Sequence, residues 1–122
     1  MSDAKPAYRV RFTKAARRDL NEHALFIAVQ EHHPDPGLDW HAKAYDEALK
    51  LDFMPSRCVL ATGYESLPYP IRRLVHHNHL ILFTIDEEAK TVYVLAIVHG
   101  ARLPRPGELH PSIDRVRRDT GE

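Results

Sequence analysis

The sequence predicts an α+β fold of order β-α-α-β-β-β, a small antiparallel sheet covered by an antiparallel helical hairpin. Three observations carry it: a period-2 segment near the N-terminus, two helical stripes separated around Pro34, and three β-branched-rich runs beyond Pro70. With 122 residues, 43% hydrophobic and 28% charged, the chain suits one core of a soluble globular protein. We expect a flexible N-terminus over residues 1–6, one domain over 7–105 and an irregular tail over 106–122.

Tyr8, Val10 and Phe12 alternate with Arg9 and Arg11, as a half-buried strand requires. Thr13 then suits a helix N-cap, because its hydroxyl can accept from unpaired first-turn amides. Ala16, Leu20, Ala24 and Ile27 follow at helical spacing up to His33, before Pro34. Asp35 and Pro36 read as the cap and first residue of a second helix, whose stripe is Trp40, Ala44, Ala48 and Leu51 and which ends before Pro55. Trp40 and Tyr45 read as core and core-rim residues. Two glycine- and proline-bearing stretches, 55–70 and 103–111, read as loops.

IRRLV, HLILFTI and TVYVLAIV then form three consecutive antiparallel strands. The last two are apolar on both faces, so one face awaits the helices and the other a further cover, for which a partner is one candidate. If the DEEAK loop sets Ile85 against Val92, Asn78 faces His99 and His79 faces Val98.

Composition excludes several functions. The 17 basic and 17 acidic groups cancel, which argues against a protein that coats nucleic acid. Their distribution is uneven: residues 1–20 hold six basic and two acidic groups, and residues 21–54 two basic and seven acidic. The single Cys58 excludes an internal disulfide framework and fits a reducing cytoplasm. The first residues lack a signal-peptide apolar block, and no run is long enough to span a bilayer, so neither secretion nor membrane association is expected. Gly-rich phosphate loops, GxSxG and paired catalytic carboxylates are missing, and no cofactor is expected.

Nine histidines are many for this length, and His76, His77, His79 and His99 fall near strand ends. His79, His99 and Arg102 converge on one edge. Imidazoles trade protons near neutral pH and guanidinium grips phosphate, so the trio has the chemistry to bind or cleave a phosphodiester. The plainer reading is a set of solvated strand-end residues. Metal binding by the same imidazoles is disfavoured, because His77 and His79 point opposite to His76 and no carboxylate or thiol completes the set. Arg72 and Arg73 occupy adjacent strand positions and serve first to charge the strand; with Arg102 they are the candidate partner contacts. Arg115-Val116-Arg117-Arg118 reads as a flexible basic tail.

Four segments together resemble the ParE/RelE superfamily of type II toxin–antitoxin toxins: YRVRFTKAARRDL, the helices ending in DFMPSRC, IRRLVHHNHLILFTID, and TVYVLAIVHGAR. The ending His99-Gly100-Ala101-Arg102 is similar to that of ParE-like members known as plasmid stabilisation proteins. The resemblance implies a RelE/ParE-like fold and a cytoplasmic growth-inhibiting protein neutralised by a cognate antitoxin. In the nuclease branch similar to RelE, arginines usually stand at the positions of His79 and Arg102, and a catalytic tyrosine lies near the C-terminus. Here only Arg102 matches and no tyrosine follows Tyr93. The resemblance therefore implies inhibition of DNA gyrase as in the ParE branch, with two alternatives: a ribosome-dependent mRNA endoribonuclease using His79, His99 and Arg102, or an inactive partner-binding module. A homodimer or a toxin–antitoxin hetero-oligomer would be its assembly.

Overall fold

A computed structural model describes residues 7–99 and 102–120. Gly100 and Ala101 of the HGAR ending, and the N-terminus expected to be flexible, lie outside the described residues. The chain runs through β1 (Arg9–Phe12), α1 (Lys14–Glu31), α2 (Pro34–Leu49), β2 (Arg72–His76), β3 (His79–Asp86), β4 (Thr91–His99) and α3 (Ile113–Asp119), with short 3-10 turns between. The sheet order is β1-β4-β3-β2. β2, β3 and β4 pair antiparallel as expected. β1 joins β4 in parallel, so the sheet is mixed.

Thr13 does cap α1. Its hydroxyl accepts from the Ala16 amide (3.1 Å) and donates to the Leu95 carbonyl (3.2 Å), fixing the helix start to β4. The second cap differs from expectation. α2 begins at Pro34, and His33 caps it, its Nδ1 accepting from the Asp35 amide at 3.1 Å. Pro34 is the proline whose missing N–H suits the first helical position, which moves the start two residues ahead of Pro36. Between the helices, Gly37 lies against the backbone of Ala24, an approach only a residue without Cβ permits.

The β3–β4 register is the main correction. Ile85 faces Val92 as expected and Phe83 faces Val94, but Leu82 faces Ala96, so Leu95 is an unmatched bulge residue. Beyond it the pairing slips by one, and His79 faces His99 instead of Val98. A one-residue insertion also turns every later side chain to the opposite face. Ile97 therefore joins Val92 and Val94 in the core beneath the helices, while Leu95 and Ala96 both pack on the other side.

That other side is covered by the chain itself, where the sequence left room for a partner. Tyr64, Tyr69 and Ile71 from the 55–71 segment pack there with Val116, against Leu82, Tyr93 and Leu95. The Tyr64 hydroxyl donates to the Pro104 carbonyl (2.7 Å) and the Tyr69 hydroxyl to the His110 carbonyl (2.6 Å). Residues 106–120 are accordingly not irregular. α3, capped by Ser112, buries Val116 fully, and the basic run expected to be a flexible tail supplies Arg117 to Asp86 at 2.7 Å. Burial of Val116 and pairing of Arg117 outweigh the repulsion within that run.

Candidate functional site

Four aromatic side chains from four elements meet at one end of the molecule: His23 on α1, Trp40 on α2, His79 on β3 and His99 on β4. His79 lies at the centre. Its ring centroid is 4.4 Å from His23, 4.9 Å from Trp40 and 4.8 Å from His99. His23 also contacts Trp40 edge-on at 4.5 Å and stacks on His99 at 5.6 Å. The bulge makes this cluster possible, because without it His99 would point to the other face of the sheet.

His79 is only 6% exposed, and neither ring nitrogen has a hydrogen-bond partner. Burial first, then the neighbouring His23 and His99, pushes its pKa down to about 4. His23 is shifted in the same direction for the same two reasons. His79 is thus a neutral, enclosed imidazole. His99 is exposed and lies 3.4 Å from the Asn78 amide.

Beside the cluster runs a groove of about 480 Å³ lined by Asp19, Glu22, His23, Phe26, His99 and Arg102, among others. The structure therefore brings His99 and Arg102 to one groove and places His79 behind it. Asp19 is anchored there by accepting from the Ile97 amide (2.9 Å), while burial raises its pKa. With Thr13 on Leu95, Asp19 satisfies the edge of β4 where β1 has ended. Among the described residues no group of three or more His, Cys, Asp or Glu side chains is placed to hold a metal ion.

The three candidate partner contacts separate. Arg72 donates to the carbonyls of Cys58 (2.6 Å) and Ser56 (3.4 Å), tying the 55–58 segment to β2. Arg73 is exposed on the opposite face, and Arg102 lies at the far side of the sheet in the groove. Sequence reasoning missed His23, Asp19 and Phe26. The signal was available: His23 lies three residues beyond the core residue Leu20, on the flank of the α1 stripe that meets the sheet.

Among the described residues no helix is long and apolar enough to cross a membrane. The fold is similar to that of a chain from the chromosomal ParDE toxin–antitoxin system of P. aeruginosa, with TM-score 0.62 and 16% identity over 79% of this chain and 99% of that one. It is also similar to a chain of the RelBE2 toxin–antitoxin complex from Mycobacterium tuberculosis, with TM-score 0.53 and 25% identity over 82% of this chain and 99% of that one. No curated protein matches the sequence. Residues 10–104, from the first strand through the groove arginine, match the family described as the ParE toxin of the type II toxin–antitoxin system parDE, and the chain belongs to that family.

Proposed function

We propose that this toxin acts by binding, with DNA gyrase as its target, and that a cognate antitoxin neutralises it in the cytoplasm. Family membership supports the toxin role, and both similar structures come from toxin–antitoxin systems. The observation that carries the binding reading is the enclosure of His79. A general acid or base must reach the proton it moves and titrate near the working pH, whereas His79 has buried nitrogens and a pKa near 4. Of the trio suited to phosphodiester cleavage, His99 and Arg102 alone line the groove, beside two carboxylates that repel phosphate. Arg73 and Arg102 remain as exposed candidate contacts for a partner.

One observation favours the second reading, a ribosome-dependent mRNA endoribonuclease: an imidazole and a guanidinium share an open groove. Expression without the antitoxin distinguishes the two. We expect growth arrest, loss of gyrase supercoiling activity with purified toxin, and intact messages by primer extension. Codon-positioned cuts that vanish in Arg102→Ala, with supercoiling untouched, would establish the nuclease instead. Harmless expression would leave an inactive partner-binding module.

A further inference from the structure

Asp19, Glu22, His23 and Phe26 recur every three or four residues and so form one stripe along α1. The stripe meets the end of β4 at the open groove of about 480 Å³ that His99 and Arg102 also line. The groove exists because β1 pairs with β4 only as far as Phe12, and beyond that point the Ile97 amide donates to Asp19 in place of a strand.

Two kinds of group share this groove. His99, His23 and Phe26 follow one another as a row of rings, with successive centroids 5.6 and 5.8 Å apart and each pair inclined by 26°. Phe26 ends the row and is 55% exposed, so its ring offers open surface. Burial first, then His99, lowers the His23 pKa, which leaves that ring neutral at physiological pH. A neutral ring face attracts a cation where an imidazolium would repel it.

Asp19 and Glu22 supply negative charge. No ion pair joins either to Arg102, the one arginine or lysine lining the groove, and among the described residues neither has a lysine or arginine at ion-pair distance. Burial first, and then the Glu22 charge, raises the Asp19 pKa against the Ile97 amide and a weaker pull from Arg18. A cation brought into the groove relieves that repulsion.

We propose that the groove receives an arginine side chain from a protein partner, its guanidinium plane laid along the row of rings and its N–H groups directed to Asp19 and Glu22. Planarity and charge select it together. A lysine ammonium has the charge and no plane to stack, whereas a neutral amide or urea has the plane and no charge. A nucleobase could stack, but its phosphate would meet two carboxylates. The proposal rests on the reading of this toxin as a binding protein and deepens it by naming the chemistry of one contact.

The test is an NMR titration of the full chain with an acetylated glycine-arginine-glycine amide, compared with the same tripeptide carrying lysine or citrulline at its centre. Ring-proton signals of His23 and His99, with the Ile97 amide, report on the groove. The arginine peptide should bind about fivefold tighter than either control. Glu22→Gln and Phe26→Ala change exposed positions that the fold tolerates, and each should weaken binding about threefold. Arg102→Ala, which removes a competing cation, should bind at least as tightly as the unaltered chain. Equal binding of lysine or citrulline, shifts confined to other parts of the molecule, indifference to both Glu22→Gln and Phe26→Ala, or weaker binding in Arg102→Ala would each overturn the proposal. So would a single-stranded oligonucleotide that moves these signals where the arginine peptide does not. Gyrase takes no part in the titration, so a toxin that leaves supercoiling untouched would refute the target and not the groove.

Discussion

At the scale of single residues, His79 combines enclosure with two unsatisfied nitrogens, an arrangement that costs stability. The sign of its pH effect follows from its pKa. The folded-state value of about 4 lies below the ordinary 6.5, so as pH falls the unfolded chain takes up the proton first. The cluster is at full strength above pH 6.5, weakens between 6.5 and 4, and changes little through His79 below that. His79→Phe keeps an aromatic ring in the box and removes both orphan nitrogens. Urea titration at pH 7 should find it more stable by about 1 kcal/mol, with a shallower decline between pH 6.5 and 4. His23 and His76, also shifted downward by burial, should add slope of the same sign. An unaltered profile in the variant would assign the whole decline elsewhere.

At the scale of elements, the helical hairpin depends on one close approach. Alanine at position 37 would raise intrinsic helix propensity by up to ~1 kcal/mol, yet its Cβ would overlap the Ala24 carbonyl oxygen. Overlap with backbone is not relieved by a rotamer change, so the helices must part. Gly37→Ala should therefore destabilise by about 1–2 kcal/mol net, measured as a lower denaturation midpoint. The elements themselves were legible in the sequence. Thr13 before an apolar stripe, and β-branched runs separated by DEEAK, each have a local cause that composition exposes. The bulge at Leu95 was not. Around it the strand is apolar on both faces, so no alternation marks the slip of one residue. What fixes it is a tertiary bond, from the Thr13 hydroxyl to the Leu95 carbonyl. The candidate site inherits that blindness: the sequence placed His79, His99 and Arg102 at one edge, but the bulge decides that His79 meets His99 and His23.

For the molecule as a whole, the segment beyond the family match has become part of the core. Its hold on the sheet is ionic as well as apolar. Arg117 reaches Asp86 at 2.7 Å, Glu88 at 3.1 Å and Asp114 at 3.2 Å, and the Asp86 side chain is only 4% exposed. The hydrogen bond from Arg117 holds the Asp86 carboxyl below its usual pKa, so this contribution is present at neutral pH and is lost as pH falls below the carboxylate range. Arg117→Ala leaves a nearly enclosed carboxylate without its cation and should cost about 2–3 kcal/mol, whereas Arg117→Lys, keeping charge without the planar fork, should cost less. Thermal denaturation of both variants checks the order. The spacing of Ile113 and Val116 suits a helix facing inward, but three basic residues surrounding Val116 masked it. Only the second apolar face of the sheet, the one turned away from the helical hairpin, tells where that short stripe goes.

The aromatic box also equips the protein with its own optical gauge. Trp40 is the sole tryptophan in the chain, and it sits against His23 and His79 where the second helix meets the sheet. Its emission therefore comes from one joint and no other, and any event that spreads the helices from the strands there will shift the signal without an added dye.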